Sequence, residues 1–297
     1  MTPGERGFLL LTSQLGNPER KVLTVAQLRT LATRVRALPR PVADRELEPE
    51  DLRAMGFSGE LAGRIMALLD EEELLDHYLS RGARAGCVPL TRVTAGYPIV
   101  VRKRLGLDSP GCLWARGDLA LLDTPMVALA GSRELREENR AFAREAGRQA
   151  ARQGYTLVSG NARGADRTAQ ESCLEAGGRV ICVVADALNS HAPDPRILYL
   201  SEDGFDLPFT ALRALSRNRV IHSLGERTLI AQCGLRQGGT WDGTVKNLRA
   251  GWSPVFCFED GSEAVRLLEQ MGAQAIARAD LCNLNRILPS IPSLFDQ

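Results

Sequence analysis

From Met126 onward the chain repeats one pattern: a short continuous apolar run, a turn of small residues, then a stretch with helical spacing. The runs are MVALA, YTLVS, RVICVVA, RTLIAQ and PVFCFE. Apolar runs without alternation describe strands buried on both faces, and such strands belong to parallel sheets covered by helices on each side. The segment from Gly131 to Gln153 fits one covering helix, with Phe142, Ala146 and Ala150 on one side, and the next helical stretch ends at Gly177-Gly178. We therefore expect an α/β fold with an extended Rossmann-like, mostly parallel sheet from about residue 120 to about residue 280. Sheets of this kind bind ligands where the carboxyl ends of the strands open into loops.

The first ninety or so residues read differently. TVAQLRTLATRVRAL has helical spacing at Val25, Leu28, Leu31 and Val35, with Thr24 in the N-cap position. PEDLRAMGFSGELAGRIMALLDEEELLDHYLSRG adds two or three more helical turns broken by Gly56 and Gly59, and the run Glu71–Glu73 reads as a solvated helix face. The expected organisation is a small helical domain over residues 1–88, the α/β core over 89–284 and a tail over 285–297.

Charge and composition narrow the function. Lysines and arginines number 37 against 36 acids, a net charge of +1, which argues against a protein that coats nucleic acid over its whole surface. The balance is local, however. Asp44 to Asp76 holds eleven acids and three bases, whereas Ala211 to Arg249 holds seven bases and two acids. A polyanion would need a local patch. No stretch approaches the ~18 apolar residues of a membrane span, and MTPGERGFLLLTSQLG has too short an apolar run for a secretory signal. The seven cysteines are scattered and form no C-x-x-C, so neither a metal site nor a disulfide framework is expected, and the compartment reads as the reduced cytoplasm. Those in RVICVV and PVFCF read as small buried hydrophobes.

Three regions at predicted strand ends stand out. Gly131-Ser132-Arg133 follows MVALA, where a glycine turn, a hydroxyl and helix-start amides attract anions, although three residues alone favour an ordinary turn with a solvated arginine. Ser159-Gly160-Asn161-Ala162-Arg163-Gly164-Ala165-Asp166 follows YTLVS and brackets an arginine with glycines, with Asp166 placed to cap the next helix. Ser216-Arg217-Asn218-Arg219 precedes RTLIAQ and the loop GGTWDGT, in which Gly239 and Thr240 mark an anion-receiving start for the helix TVKNLRAG. Two positions apart on a helix, Arg217 and Arg219 diverge by about 200°, so one faces a given groove. Trp241 is either packing or a platform for a stacked base. No catalytic set is assembled: His77, His191 and His222 lie far apart and no Ser–His–Asp or Cys–His arrangement has support.

The ordered series of motifs resembles the DNA-processing protein A (Smf/DprA) family. It comprises Tyr97-Pro98, the lead-in LDSPGCLWARGDLALLDTPMVALAGSR, SGNARGAD, Gly177-Gly178, Ser201-Glu202, Arg217-Asn218-Arg219 and LLEQMGAQAI, over Leu90 to about Asp280. The resemblance implies a Rossmann-like core that holds single-stranded DNA and hands it to the RecA recombinase, with a homodimer as the working unit and no cofactor. It implies a phosphate-binding pocket formed by Ser132, Arg133, Ser159, Gly160, Arg163, Arg217 and Arg219, with Asn218 orienting the backbone and Gly131 and Gly164 shaping the turns.

Three departures are visible. GGTWDGT is closer to the Gly-Gly-x-Gly-Thr loop of a related nucleotide-binding branch, whose monophosphate hydrolysis needs a glutamate where Val245 and Lys246 stand. The stretch between Asp186 and Ser201 lacks the family's Gly-rich turn and Tyr-Pro, and NLNRILPSIPSLFDQ is too short for a winged helix. A sensor or binder of a small nucleotide, using the same crevice, is the alternative expectation; a nucleotide hydrolase is a third.

Overall fold

In the computed structural model, described over residues 1–17, 19–38 and 47–287, the chain divides into two compact units. Residues 44–46 of the acidic segment and 288–297 of the tail lie outside the described residues. The first unit takes Met1–Tyr97, Pro110–Trp114 and Glu202–Leu207. It holds the helices α1 (Pro3–Thr12), α2 (Val25–Arg36), α3 (Pro49–Ala54), α4 (Gly59–Leu69) and α5 (Glu72–Arg84), then β1 (Val88–Thr91) and the start of its neighbour β2 (Cys112–Arg116).

Thr24 caps α2 as its position suggested. Its hydroxyl accepts from the Gln27 amide, and the Gln27 side chain accepts from the Thr24 amide, satisfying two otherwise unpaired helix-start donors. Leu31 on this helix packs with Leu11, Leu23, Leu52, Ala62, Ile65 and Leu68. Gly59 opens α4, capped by Ser58, instead of breaking a helix. The acidic run is also more than a solvated face: Glu71 pairs with the buried Arg20 at 2.5 Å, and Glu72 pairs with Arg6. Arg20 additionally donates to the carbonyls of Ser13 and Leu68, which is what makes a buried guanidinium tolerable.

The second unit carries α6 (Ile99–Leu105), β3 (Met126–Ala130), α7 (Glu137–Arg152), β4 (Thr156–Ser159), α8 (Ala165–Glu175), β5 (Arg179–Val184) and β6 (Ile197–Glu202). It continues with α9 (Ala211–Ser216), α10 (Asn218–Leu224), β7 (Thr228–Ile230), α11 (Gly238–Ala250), β8 (Val255–Phe258), α12 (Glu263–Gln270) and β9 (Gln274–Ile276). Its strands lie in the order β6-β5-β4-β3-β7-β8-β9, and every neighbouring pair is parallel. The chain moves outward from β3 to β6 and then returns to the far side of β3 with β7. That reversal between β3 and β7 is the topological switch point, where doubly wound sheets open a crevice. The expected fold class is the observed one. Val127, Leu129, Val158, Ile181 and Val183 are fully buried, Cys182 is buried as a small apolar group, and Cys257 packs in the cluster of Ile230, Val255 and Leu268.

One expectation fails here. GGTWDGT is not a loop before a helix; it is the first two turns of α11. Each glycine inside a helix costs about 1 kcal/mol against alanine, and close packing offsets this. A Cβ on Gly243 would lie 3.2 Å from the Asn218 Cβ of α10. Being helical also decides Trp241, which packs on the cluster of Ile230, Cys233, Val245 and Val255.

The tightest helix contact is between α7 and α8. A Cβ on Gly147 would stand 2.0 Å from the Ala169 carbonyl oxygen, so the helices meet backbone to backbone. Gly147→Ala improves helix propensity yet should destabilise the protein by about 2 kcal/mol through overpacking, a Tm fall of roughly 5 °C for a domain of this size; thermal denaturation measures it, and an unchanged Tm would refute the tight contact. His222 on α10 supplies a second check. Its Nδ1 accepts from Asn247 at 3.0 Å, and burial pushes its pKa down from 6.5 to about 4. The folded state thus binds fewer protons than the unfolded chain between these values, so stability falls as pH drops from about 6.5 toward 4. Urea unfolding across that window should show the loss, and His222→Gln should flatten it.

Candidate functional site

The loops after β3 and β4 touch through their backbones. Gly131 leaves β3 so close to α8 that a Cβ there would stand 2.4 Å from the Ala165 Cβ. Gly164, at φ +89°, comes so near the Ser132 and Arg133 carbonyls that a Cβ would stand 2.4 Å from each, and the Ala165 amide donates to the Ser132 carbonyl at 3.1 Å. Only glycine satisfies both the positive φ and the space. Gln232, just beyond β7, clamps the first loop from the other side. Its carbonyl accepts the Ser132 amide at 2.9 Å and the Ser132 hydroxyl at 3.2 Å, while its side chain accepts from the Arg136 amide and donates to the Glu134 carbonyl. The Ser132 donors are therefore committed to the fold.

Asp166 lies inside α8 instead of capping it. Its carboxylate accepts the amides of Gly160 at 3.1 Å and Ala162 at 3.2 Å, folding the Gly-rich loop back on its own helix. Burial pushes its pKa up, while Arg217, the two amides and Arg133 act in the opposite direction. Arg217, only 8% exposed, sits at the junction of α9 and α10. It donates to the Gly160 carbonyl at 3.1 Å and to Asn218 Oδ1 at 2.6 Å, and Asn218 Nδ2 in turn donates to the Gly239 carbonyl at 3.0 Å. The guanidinium lies on Gly160, where a Cβ would stand 2.1 Å from its central carbon. Arg217 thus braces the β4 loop against the start of α11.

These loops enclose a two-lobed crevice, both lobes sharing Arg133, Ala162, Ala214 and Arg217. The first lobe, of about 400 Å³, is walled by Gly131, Ser132, Asn218, Gly239 and Thr240. α11 enters this lobe by its N-terminus, and no side chain caps it, so partly positive amides face the cavity beside two guanidiniums. The second lobe, of about 330 Å³, is walled by Gly160, Arg163, Arg167, Asp186, His191 and Phe209. Arg163 is 75% exposed and pairs with Glu134 at 3.3 Å, a solvent-screened contact that leaves it available to an anion.

Nine of the sequence-derived site residues line the crevice; three do not. Ser159 is buried beneath it and accepts a hydrogen bond from Gln170. Gly164 lies under the loop crossing. Arg219 turns away, donating to the Asp108 and Ser216 carbonyls at 2.9 and 2.8 Å, as the angular separation of Arg217 and Arg219 required. Arg167, Gln232, Asp186, His191 and Phe209 were missed. Arg167 directly follows the Gly-rich loop and Gln232 stands two residues past the end of β7, so position alone would have found these two. The arrangement suits binding of successive anionic groups; its one buried carboxylate is occupied in holding a loop.

The family model for DNA recombination-mediator protein A matches residues 89–282, well over half of the chain. The chain is 30% identical to Protein Smf of Escherichia coli over 142 residues and 31% identical to DNA processing protein DprA of Streptococcus pneumoniae over 141 residues. Each alignment covers 44% of this chain, but 38% and 50% of the relative, so the chain spans half or less of their length. Among solved structures, that of the Streptococcus pneumoniae protein superposes with a TM-score of 0.73 at 22% identity, covering 95% of this chain and 98% of the other. A Helicobacter pylori DNA processing protein A, described for its single-stranded DNA binding mode, superposes with a TM-score of 0.55 at 24% identity over 66% of this chain and 94% of the other. Both confirm the fold, and the family match takes in the loops after β3, β4 and β7: the chain belongs to the DNA recombination-mediator protein A family.

Proposed function

We propose that the protein binds the sugar–phosphate backbone of single-stranded DNA in this crevice and serves DNA processing and recombination without catalysing a reaction. The observation that carries the reading is the convergence of Arg133, Arg217 and the uncapped start of α11 at the switch point of a parallel sheet. Arg163 and Arg167 extend the positive wall into the second lobe, giving a strand consecutive phosphate contacts. Delivery of the strand to the RecA recombinase, and a homodimer as the working unit, complete the proposal, and the family match supports them. A cytoplasmic location fits it, and no helix among the described residues is long and apolar enough to cross a membrane.

The first lobe, with its glycine-rich helix start, also has the size for a mononucleotide, so a small-nucleotide sensor is the competing reading. Thermal shift separates them, because a tight ligand raises Tm by mass action. Oligonucleotides should stabilise the protein; stabilisation by mononucleotides alone would overturn the DNA reading.

Binding to an oligonucleotide should fall steeply with salt, and Arg163→Ala should weaken it while reducing the slope of log K against log salt by about 0.7, the value for one phosphate contact on a single strand. Fluorescence anisotropy at several salt concentrations tests this, and an unchanged slope would remove Arg163 from the interface. Arg217→Ala should behave differently. It strips the partner from the buried Gly160 carbonyl and from Asn218, so stability should fall by about 1–3 kcal/mol along with affinity. Chemical denaturation of the two variants side by side should show the loss in Arg217→Ala only.

A further inference from the structure

We propose that the second lobe is a nucleobase pocket in which Asp186 accepts a hydrogen bond from an exocyclic amino group, favouring cytosine, adenine or guanine over thymine. This rests on the single-stranded DNA reading and adds a base preference to it. Asp186 stands two residues past the end of β5, its side chain is 44% exposed, and it forms part of the lobe wall. One oxygen, Oδ1, lies 3.0 Å from His191 Nε2. An ionised carboxylate has no proton to give, so Nε2 donates. This bond holds the Asp186 carboxyl below the usual carboxylate range, and Oδ2 remains an acceptor at the lobe.

The pair is held rigidly. The His191 ring lies on Tyr199 with centroids 4.7 Å apart and planes 14° from parallel. The His191 and Leu188 carbonyls both accept from Arg116, and Arg213 holds the Ala185 carbonyl at 2.7 Å. An acceptor fixed this way discriminates ligands, because a mismatched partner leaves it unpaired at the full desolvation cost.

A carboxylate in the wall of a pure phosphate pocket would repel the ligand. It is useful only if the occupant brings a donor, and in a DNA strand the donors are on the base edges. Phe209, 55% exposed and on the same wall, offers an apolar plate for a base to stack on. Arg133 and Arg217, shared by both lobes, place the phosphate of the same nucleotide next door. Cytosine N4 pairs naturally with a carboxylate acceptor; thymine has a carbonyl oxygen at that position.

The test compares oligodeoxycytidine with oligothymidine of equal length, at neutral pH and fixed salt, by fluorescence anisotropy. Wild-type protein should hold the cytidine strand roughly tenfold tighter, within the range of a good base-edge contact. In Asp186→Asn the amide oxygen takes the His191 proton and turns the NH₂ group into the lobe, where it suits thymine O4, so the preference should vanish or invert. Phe209→Ala should weaken both strands. Equal affinity of the wild type for the two strands overturns the inference and leaves the DNA reading intact. A cytidine preference that survives in Asp186→Asn also overturns it. Failure of both strands to bind overturns the inference and the DNA reading together.

Discussion

Backbone meets backbone where the loops after β3 and β4 cross, with no room for a side chain between Gly164 and the Ser132 and Arg133 carbonyls. The rest of the crevice follows from that contact. It sets Arg133 at the mouth and brings α8 near enough for Asp166 to gather the Gly160 and Ala162 amides. It also exposes the Gly160 backbone as a seat for the Arg217 guanidinium. From there the chain of hydrogen bonds runs through Asn218 to Gly239 and fixes the start of α11. Glycine at these positions serves close approach more than flexibility.

The electrostatics follow the same economy. With a net charge of +1, the chain gathers cations at one sheet edge instead of covering its surface with them. Within that edge the arginines divide their roles by burial. Arg217 is a brace that also presents charge, while Arg163 and Arg167 are solvent-facing and adaptable. Asp166 is needed to shape the loop, and its charge is balanced by the arginines around it and by two amides. Asp186, held by His191, stands apart because it faces the cavity.

Much of this was legible in the chain. MVALA, YTLVS and RVICVVA are buried strands because parallel sheets leave no polar face, and Phe142, Ala146 and Ala150 mark the covered side of α7. The Thr24 cap was readable from one hydroxyl and its place before a helical pattern. The start of α11 was not. Gly239 and Gly243 look like loop residues to any local rule, yet they lie in a helix whose neighbours, Leu215 of α9 at Gly239 and Asn218 of α10 at Gly243, come too close for larger side chains. The acidic run Glu71–Glu73 was equally illegible, since the partners of Glu71 and Glu72, Arg20 and Arg6, are distant in sequence.

By itself, then, the sequence determined the sheet, its buried strands and the set of strand-end loops that form the crevice, because these depend on local periodicity and on glycine's unique backbone range. Only the tertiary structure decided which residues line the crevice. Ser159 and Arg219 match the family pattern yet are spent on the fold, whereas Asp186, His191 and Phe209 reach the cavity from segments with no motif to announce them. Which way a side chain points depends on the helix packed against it, and that is fixed when the sheet closes on its helices.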